Sequence, residues 1–297
     1  SMTEPGYAGW LGVAERTDAA ETMAALPKEP PDWLVVDHYG LASEWEQQVR
    51  AKVGRLLVID DLADRHHDCD VLLDPNHWVD LERRHAGQVP EHCQVLSGAQ
   101  YALLGPEYAN ARRTSQVRDG IVRRVFVYFG GSDPHNITGM VLGVLSESEF
   151  RHLDVDIVLG PNNANRDAIR SQAVRRPRTF VHEPRAHLAD LMVSADLGLG
   201  AGGVATWERM CLGLPALVVC IADNQRPTCE ALSDERLIQY AGDWTSVGPG
   251  DLARALRQML AEPDRLASLS ARGARLIDGR GASRVAAFMF PGDSEHG

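Results

Sequence analysis

Short apolar runs that end in a polar residue or glycine and then give way to a helical stretch constrain this chain most. Seven such runs occur: Trp33 to Asp37, Leu56 to Asp61, Val71 to Asp74, Val125 to Phe129, Val155 to Leu159, Leu197 to Gly200 and Ala216 to Cys220. They are continuous rather than alternating, which suits strands covered on both faces of a parallel sheet. Helical stretches fall among them, over Leu41 to Lys52, Asn136 to Leu145, Arg185 to Ser194, Thr206 to Leu212 and Asp251 to Ala261. Strand followed by helix, repeated, predicts βαβ units and an α/β chain with doubly wound sheets. Ligands of such sheets bind off the carboxyl ends of the strands, where the polar residues of this sequence concentrate.

The chain has 297 residues, and at roughly 100–200 residues per domain it holds about two domains. The stretch Asn110 to Gln116 is polar and has no apolar period, so it reads as a linker. The expected division is 1–112 and 113–290. With 30 basic and 41 acidic side chains the net charge is −11, which argues against a nucleic-acid binder that needs a basic face. A small anion held by backbone amides stays compatible with that charge. Five cysteines without a close-spaced pair argue against a disulfide framework or zinc ribbon and point to a reduced, cytoplasmic protein. No apolar stretch approaches the ~20 residues of a membrane span, and the opening Ser1-Met2-Thr3 carries no signal-peptide pattern.

Two glycine loops follow predicted strands. In Phe129-Gly130-Gly131-Ser132-Asp133-Pro134-His135-Asn136, the glycines let a ligand approach the backbone, and Ser132 and the amides opening the next helix can donate to phosphate oxygens. His135 can touch a phosphate from the same loop. The other reading is a plain strand-to-helix turn. In Gly200-Ala201-Gly202-Gly203-Val204-Ala205-Thr206-Trp207-Glu208, the carboxylate of Glu208 can accept from two vicinal hydroxyls such as a ribose diol, or merely compensate the helix dipole. Beyond the next strand, Asn224 and Gln225 can read sugar hydroxyls or phosphate, or simply form a turn. Together these describe a nucleotide-diphosphate site with no metal or other cofactor required. Asp60, Asp61 and Asp64 read as turn and capping residues rather than metal ligands, and His66 and His67 as a solvated or capping turn.

The runs Gly130–Asp133, Gly200–Arg209, Cys211–Val219 and Ala222–Gln225 resemble the second domain of GT-B sugar-nucleotide enzymes. With Asp32–Leu41, Val58–Arg65, Leu73–Asn76 and Tyr101–Pro106, the closer resemblance is to the UDP-2,4-diacetamido-2,4,6-trideoxy-β-L-altropyranose hydrolase family of pseudaminic acid biosynthesis. That resemblance implies two Rossmann-type doubly wound domains with a cleft between them, the first, 1–112, incomplete and lacking its opening strands. It also implies an inverting attack of water on a UDP-linked sugar, UDP being bound by Gly130, Gly131, Ser132, Gly202, Gly203 and Glu208. The family's opening strands carry a G-x-G-H-x-x-R run whose His is the expected base, and this sequence has no such run. Of the remaining candidates, Tyr39 matches a position near the sugar, or else packs in a wall. His38 ends a strand beside the cleft, or else has a structural role. A glycosyltransferase and a non-catalytic UDP-sugar-binding module are the alternatives. Neither nucleic acid nor membrane insertion is expected.

Overall fold

The computed structural model describes residues 7–81, 83–115 and 118–291. The elements in chain order begin with α1 (Glu15–Ala25), β1 (Trp33–Val36), α2 (Ser43–Val49), β2 (Arg55–Ile59), β3 (Val71–Asp74) and β4 (Gln94–Ser97). Next come α3 (Pro106–Thr114), β5 (Arg124–Tyr128), α4 (Ile137–Leu145), β6 (Asp154–Val158), α5 (Arg166–Val174), β7 (Thr179–His182) and α6 (Ala189–Ser194). The chain continues through β8 (Leu197–Ala201), α7 (Ala205–Cys211), β9 (Ala216–Cys220), α8 (Arg226–Asp234) and β10 (Gln239–Asp243). The helices α9 (Pro249–Ala261), α10 (Pro263–Leu276) and α11 (Gly281–Met289) complete it.

The chain divides into two compact units. One runs to Tyr101 and takes back the segment from Gly281 onward; the other is Ala102–Arg280. The division thus falls earlier than the expected break at 112, and α11 returns to the first unit, where Val285 packs with Leu57, Val71 and Leu73. Of the expected linker, residues 110–114 are instead the second half of α3, and Gln116 lies outside the described residues. The segment reads as polar because its arginine serves helix ends. Arg112 donates to the carbonyls of Cys211, Ala274 and Ile277 at 2.6, 2.7 and 3.2 Å, which satisfies carbonyls that α7 and α10 leave without intrahelical partners.

The first unit holds a four-stranded sheet in the order β1-β2-β3-β4, parallel throughout. One core cluster packs Trp45 and Val49 of α2 with Leu56, Val58 and Leu72. The second unit holds six parallel strands in the order β10-β9-β8-β5-β6-β7. It is doubly wound: β5 to β7 run outward in one direction and β8 to β10 in the other. The central strands β8 and β9 are buried at every residue, as their apolar runs require. The switch point lies between β5 and β8, and the two glycine loops emerge there. Among the described residues no helix is long and apolar enough to cross a membrane.

Candidate nucleotide site

The loop after β5 is a built structure. Gly130 takes φ +86°, Asp133 +42° and Asn136 +53°, so three left-handed residues fold it tightly over the strand end. Asp133 is buried and accepts the amides of Ile137 and Thr138, both at 2.9 Å. Asn136 accepts that of Gly139 at 3.3 Å. The helix-start amides expected to bind phosphate are therefore occupied by the protein's own side chains, which corrects that part of the sequence reading. His135 stacks flat on Trp244, with centroids 3.4 Å apart.

A third glycine, missed from sequence, locks this loop to its neighbour. A Cβ on Gly160, just past β6, would overlap the carbonyl oxygens of Gly130 and Gly131, and Asn162 donates to Gly131 O at 2.9 Å. It could have been found as a glycine at the carboxyl end of a strand next to β5. In the loop after β8, Gly202 is needed for packing, since a Cβ there would overlap Cys229 Sγ of α8. Gly198 and Gly200 within β8 make room for Arg209, whose Cδ and Nη1 would meet added Cβ atoms at 2.8 and 2.5 Å. Arg209 is buried and donates to Ala201 O and Thr206 Oγ1 at 2.8 and 2.9 Å. Burial lowers its pKa to about 10, against the opposing charge of Glu208.

These loops surround a cavity of about 290 Å³ at the switch point, walled by β5, β6, β8 and β9 ends, by α3 and by the segment Pro184 to Leu188. Of the residues expected from sequence, Gly130, Gly203, Glu208 and Gln225 line it. Gly131, Ser132, Gly202 and Asn224 lie outside its lining. Gln225 Oε1 accepts the Ile221 amide at 3.3 Å, and its Nε2 would sit 3.4 Å from a Cβ on Gly203, so this amide spans the ends of β8 and β9. Glu208 is the carboxylate of the lining. Burial raises its pKa, opposed by a hydrogen bond from Tyr108 and by Arg209. Tyr108 was not foreseen as a site residue. Arg185 and His187 bring basic groups to the rim, and Arg185 pairs with Asp190 at 2.6 Å.

Tyr39 and His38 belong to the first unit. The Tyr39 ring packs against Tyr7 at a tilt of 48° with centroids 5.0 Å apart, and its hydroxyl donates to Asp61 Oδ1 at 2.9 Å. Burial, then the Asp61 charge, pushes that phenol well above its usual range. His38 Nδ1 accepts the Gly40 amide at 3.0 Å, a local turn contact. Around them runs a network at the carboxyl edge of the sheet. Asp61 also accepts from Asn76 Nδ2 at 2.9 Å. Asp74 receives Arg84 Nε at 2.9 Å and lies 3.0 Å from His85 Nε2. His67 is not the solvated turn expected. It is 3% exposed, with Nδ1 2.7 Å from Glu46 Oε1 and Nε2 3.7 Å from Asp60. Asp60 is the turn residue expected, accepting the Ala63 amide at 3.0 Å, and it is also buried and pairs with Arg65 at 2.8 Å. Buried acids matched to buried cations in this way avoid uncompensated charge.

In sequence the chain is 28% identical over 209 residues to the spore coat polysaccharide biosynthesis protein SpsG of Bacillus subtilis, covering 68% of this chain and 59% of that protein. It therefore spans less than two thirds of that relative's length. It is 24% identical over 215 residues to the UDP-2,4-diacetamido-2,4,6-trideoxy-beta-L-altropyranose hydrolase of Campylobacter jejuni, covering 72% of this chain and 75% of that protein. Among solved structures it matches UDP-GlcNAc 2-epimerase from Neisseria meningitidis bound to UDP-GlcNAc, with a TM-score of 0.65 at 13% identity over 93% of this chain and 81% of that one. No protein-family model matches the chain. Two parallel α/β units of the GT-B kind, together with similarity to the Campylobacter jejuni hydrolase over 72% of the chain, are what the fold and the comparisons establish.

Proposed function

We propose that the second unit binds the UDP moiety of a nucleotide sugar in the cavity at its switch point, and that the reaction served is inverting hydrolysis of a UDP-linked 2,4-diacetamido-2,4,6-trideoxy sugar toward pseudaminic acid. The observation that carries this reading is the Glu208 carboxylate, which lines the cavity between two glycine loops. An ionised carboxylate there accepts from both hydroxyls of a ribose diol. Gly130 and Gly203 bring backbone rather than side chains to the cavity, which leaves room for a diphosphate. The relative from Campylobacter jejuni bears the name of this hydrolase, and the epimerase of like fold was solved with UDP-GlcNAc.

In such a reaction water attacks the anomeric carbon, the C–O bond to the diphosphate breaks with inversion, and UDP leaves. Stabilising the departing negative charge is the task of the glycine loops, Gln225 and the basic rim. Ser132 and Asn224, beside the cavity rather than in its lining, are assigned to phosphate and sugar contact on the sequence resemblance alone. A base must take a proton from the water. The family's His run has no counterpart in residues 1–297; His38 is the candidate on the first unit, while Tyr39, whose hydroxyl donates to Asp61, is assigned a place near the sugar on the sequence resemblance alone. Incubating the 297-residue chain with the UDP-linked diacetamido sugar, with and without acceptor alcohols, and following UDP release tests the reading. The expected outcome is UDP binding with slow, acceptor-independent release. Release only with an acceptor would indicate a glycosyltransferase. Binding without release would indicate a binding module, and absence of UDP binding would remove the reading.

A further inference from the structure

The fold brings together two cysteines that the sequence sets 24 residues apart. Cys69 stands just before β3 and Cys93 just before β4, and these strands are parallel neighbours with Val71 opposite Gln94. Backbone hydrogen bonds hold both approaches: Gln94 donates to Asp70 O and Cys93 to Pro90 O, each at 2.9 Å. Both cysteines are free thiols, and their sulfurs lie 3.6 Å apart. Neighbouring strands run about 4.8 Å apart, inside the Cα separations that a disulfide bridges. Closing the pair therefore moves the sulfurs from 3.6 Å to a bond of about 2.05 Å by side-chain rotation on a held backbone.

The two thiols are unequal. Cys69 is fully buried, whereas Cys93 is partly exposed. Contact with Cys69 lowers the pKa of Cys93, against burial; the same contact, together with burial, raises that of Cys69. The partly exposed sulfur is thus the thiolate of the pair, and the buried one keeps its proton. The remaining three cysteines, Cys211, Cys220 and Cys229, are all buried, so a reagent arriving from solvent meets Cys93 first.

We infer that Cys93 and Cys69 form a modification site: a dithiol that a hydroperoxide oxidises to an intramolecular disulfide, with Cys93 attacking and Cys69 resolving. The Cys93 thiolate attacks one peroxide oxygen. The O–O bond breaks, that oxygen stays on Cys93 as a sulfenic acid, and the other leaves as hydroxide, which takes up the proton that Cys93 had released. Cys69 Sγ then attacks Cys93 Sγ. The S–O bond breaks, and the departing hydroxide leaves with the Cys69 proton as a second water. Two thiols and one hydrogen peroxide thus yield one disulfide and two waters, the sulfurs giving up the two electrons that the peroxide takes. A sulfenic acid 3.6 Å from a second thiol is resolved in place, which keeps Cys93 from passing on to the irreversible sulfinic acid. The bond closes a ring over residues 69–93, the segment that carries Asp74, Arg84 and His85, and so restricts the unfolded chain. All of these residues belong to the first unit, and the oxidation is independent of the nucleotide cavity in the second.

Treating the reduced 297-residue chain with hydrogen peroxide, blocking remaining thiols with N-ethylmaleimide and mapping peptides without reductant tests this. The wild type is expected to yield a Cys69–Cys93 linked peptide that dithiothreitol cleaves, with Cys211, Cys220 and Cys229 alkylated once the chain is unfolded. The oxidised chain is expected to melt at a higher temperature than the reduced one. In Cys69→Ala, which keeps a small apolar side chain in the core, Cys93 is expected to accumulate as a sulfenic acid that dimedone traps. In Cys93→Ser, Cys69 is expected to stay a thiol. Melting curves of the reduced variants confirm folding, and the wild-type map needs no variant. A wild type in which both cysteines remain alkylatable, in which Cys93 passes to sulfinic acid while Cys69 stays a thiol, or in which other cysteines pair instead, would overturn the proposal.

Discussion

A single methyl group is enough to test how tightly the glycine loops are built. Gly160 faces the carbonyls of Gly130 and Gly131 with no space for a Cβ. Gly160→Ala must therefore push the loop after β5 away from the loop after β6. The expected cost is about 1–3 kcal/mol in folding stability, read by denaturant titration, with a loss of UDP affinity in the same variant. Gly131 makes the contrasting control, because an added Cβ there meets nothing within 4 Å. Glu208→Ala removes the acceptor proposed for the ribose and should weaken UDP by about 1–3 kcal/mol; unchanged affinity in calorimetry would remove that assignment. Glu208 was legible from its place one turn into a helix that follows a glycine loop. Tyr108 was not, because Leu188, whose amide donates to its hydroxyl, lies 80 residues away in sequence and only the fold brings the two together.

Secondary structure was legible where burial is complete and obscure where it is partial. The strands anticipated from apolar runs include β5, β6, β8 and β9, which form the middle of the six-stranded sheet. The strands not anticipated, β4, β7 and β10, each close one edge of a sheet. An edge strand has one neighbour and half-buried faces, as in Gln239–Asp243, where every residue is intermediate in exposure. Its sequence needs no continuous apolar run. Helix α4 shows the same limit at a terminus. Its N-terminal amides looked available for phosphate, whereas Asp133 takes two of them. Asp133→Ala should lower stability by about 1–2 kcal/mol, measured by thermal melting, without a matching loss of UDP affinity at saturating ligand.

The pH response of the first unit belongs to its buried network. Burial alone would lower the pKa of His67, but the Asp60 and Glu46 carboxylates outweigh it and raise the value to about 9. Burial would raise Asp60, but His67 and Arg65 bring it down to about 2. A histidine whose pKa is higher in the folded chain contributes stability that is complete below its unfolded value of about 6.5. That contribution is lost as pH rises through the folded value. An aspartate whose pKa is lower in the folded chain contributes stability above about 3.8 and loses it as pH falls through 2. Wild-type stability should therefore decline between pH 7 and 10 by on the order of 1–3 kcal/mol from this site. Melting curves across that range should show the decline flattened in His67→Gln. A variant that keeps the full decline would contradict the assignment.

At the scale of the whole molecule, the nucleotide site proposed above belongs to a chain of net charge −11. That charge is compatible with the proposal, in which close backbone, a carboxylate for the sugar of the nucleotide and local basic groups serve the ligand. The division into two units was anticipated, although its break point and the return of α11 were not. That helix has an apolar face like any other, and only its packing on Leu57, Val71 and Leu73 assigns it to the first unit. Hydrogen exchange with and without UDP, followed peptide by peptide, tests the central claim most directly. The account predicts protection confined to segments around 128–131, 158–161, 184–188, 201–208 and 221–225, the walls of the cavity, and its loss in Glu208→Ala at the same UDP concentration. Protection centred on the four-stranded unit, or none anywhere at saturating UDP, would contradict it.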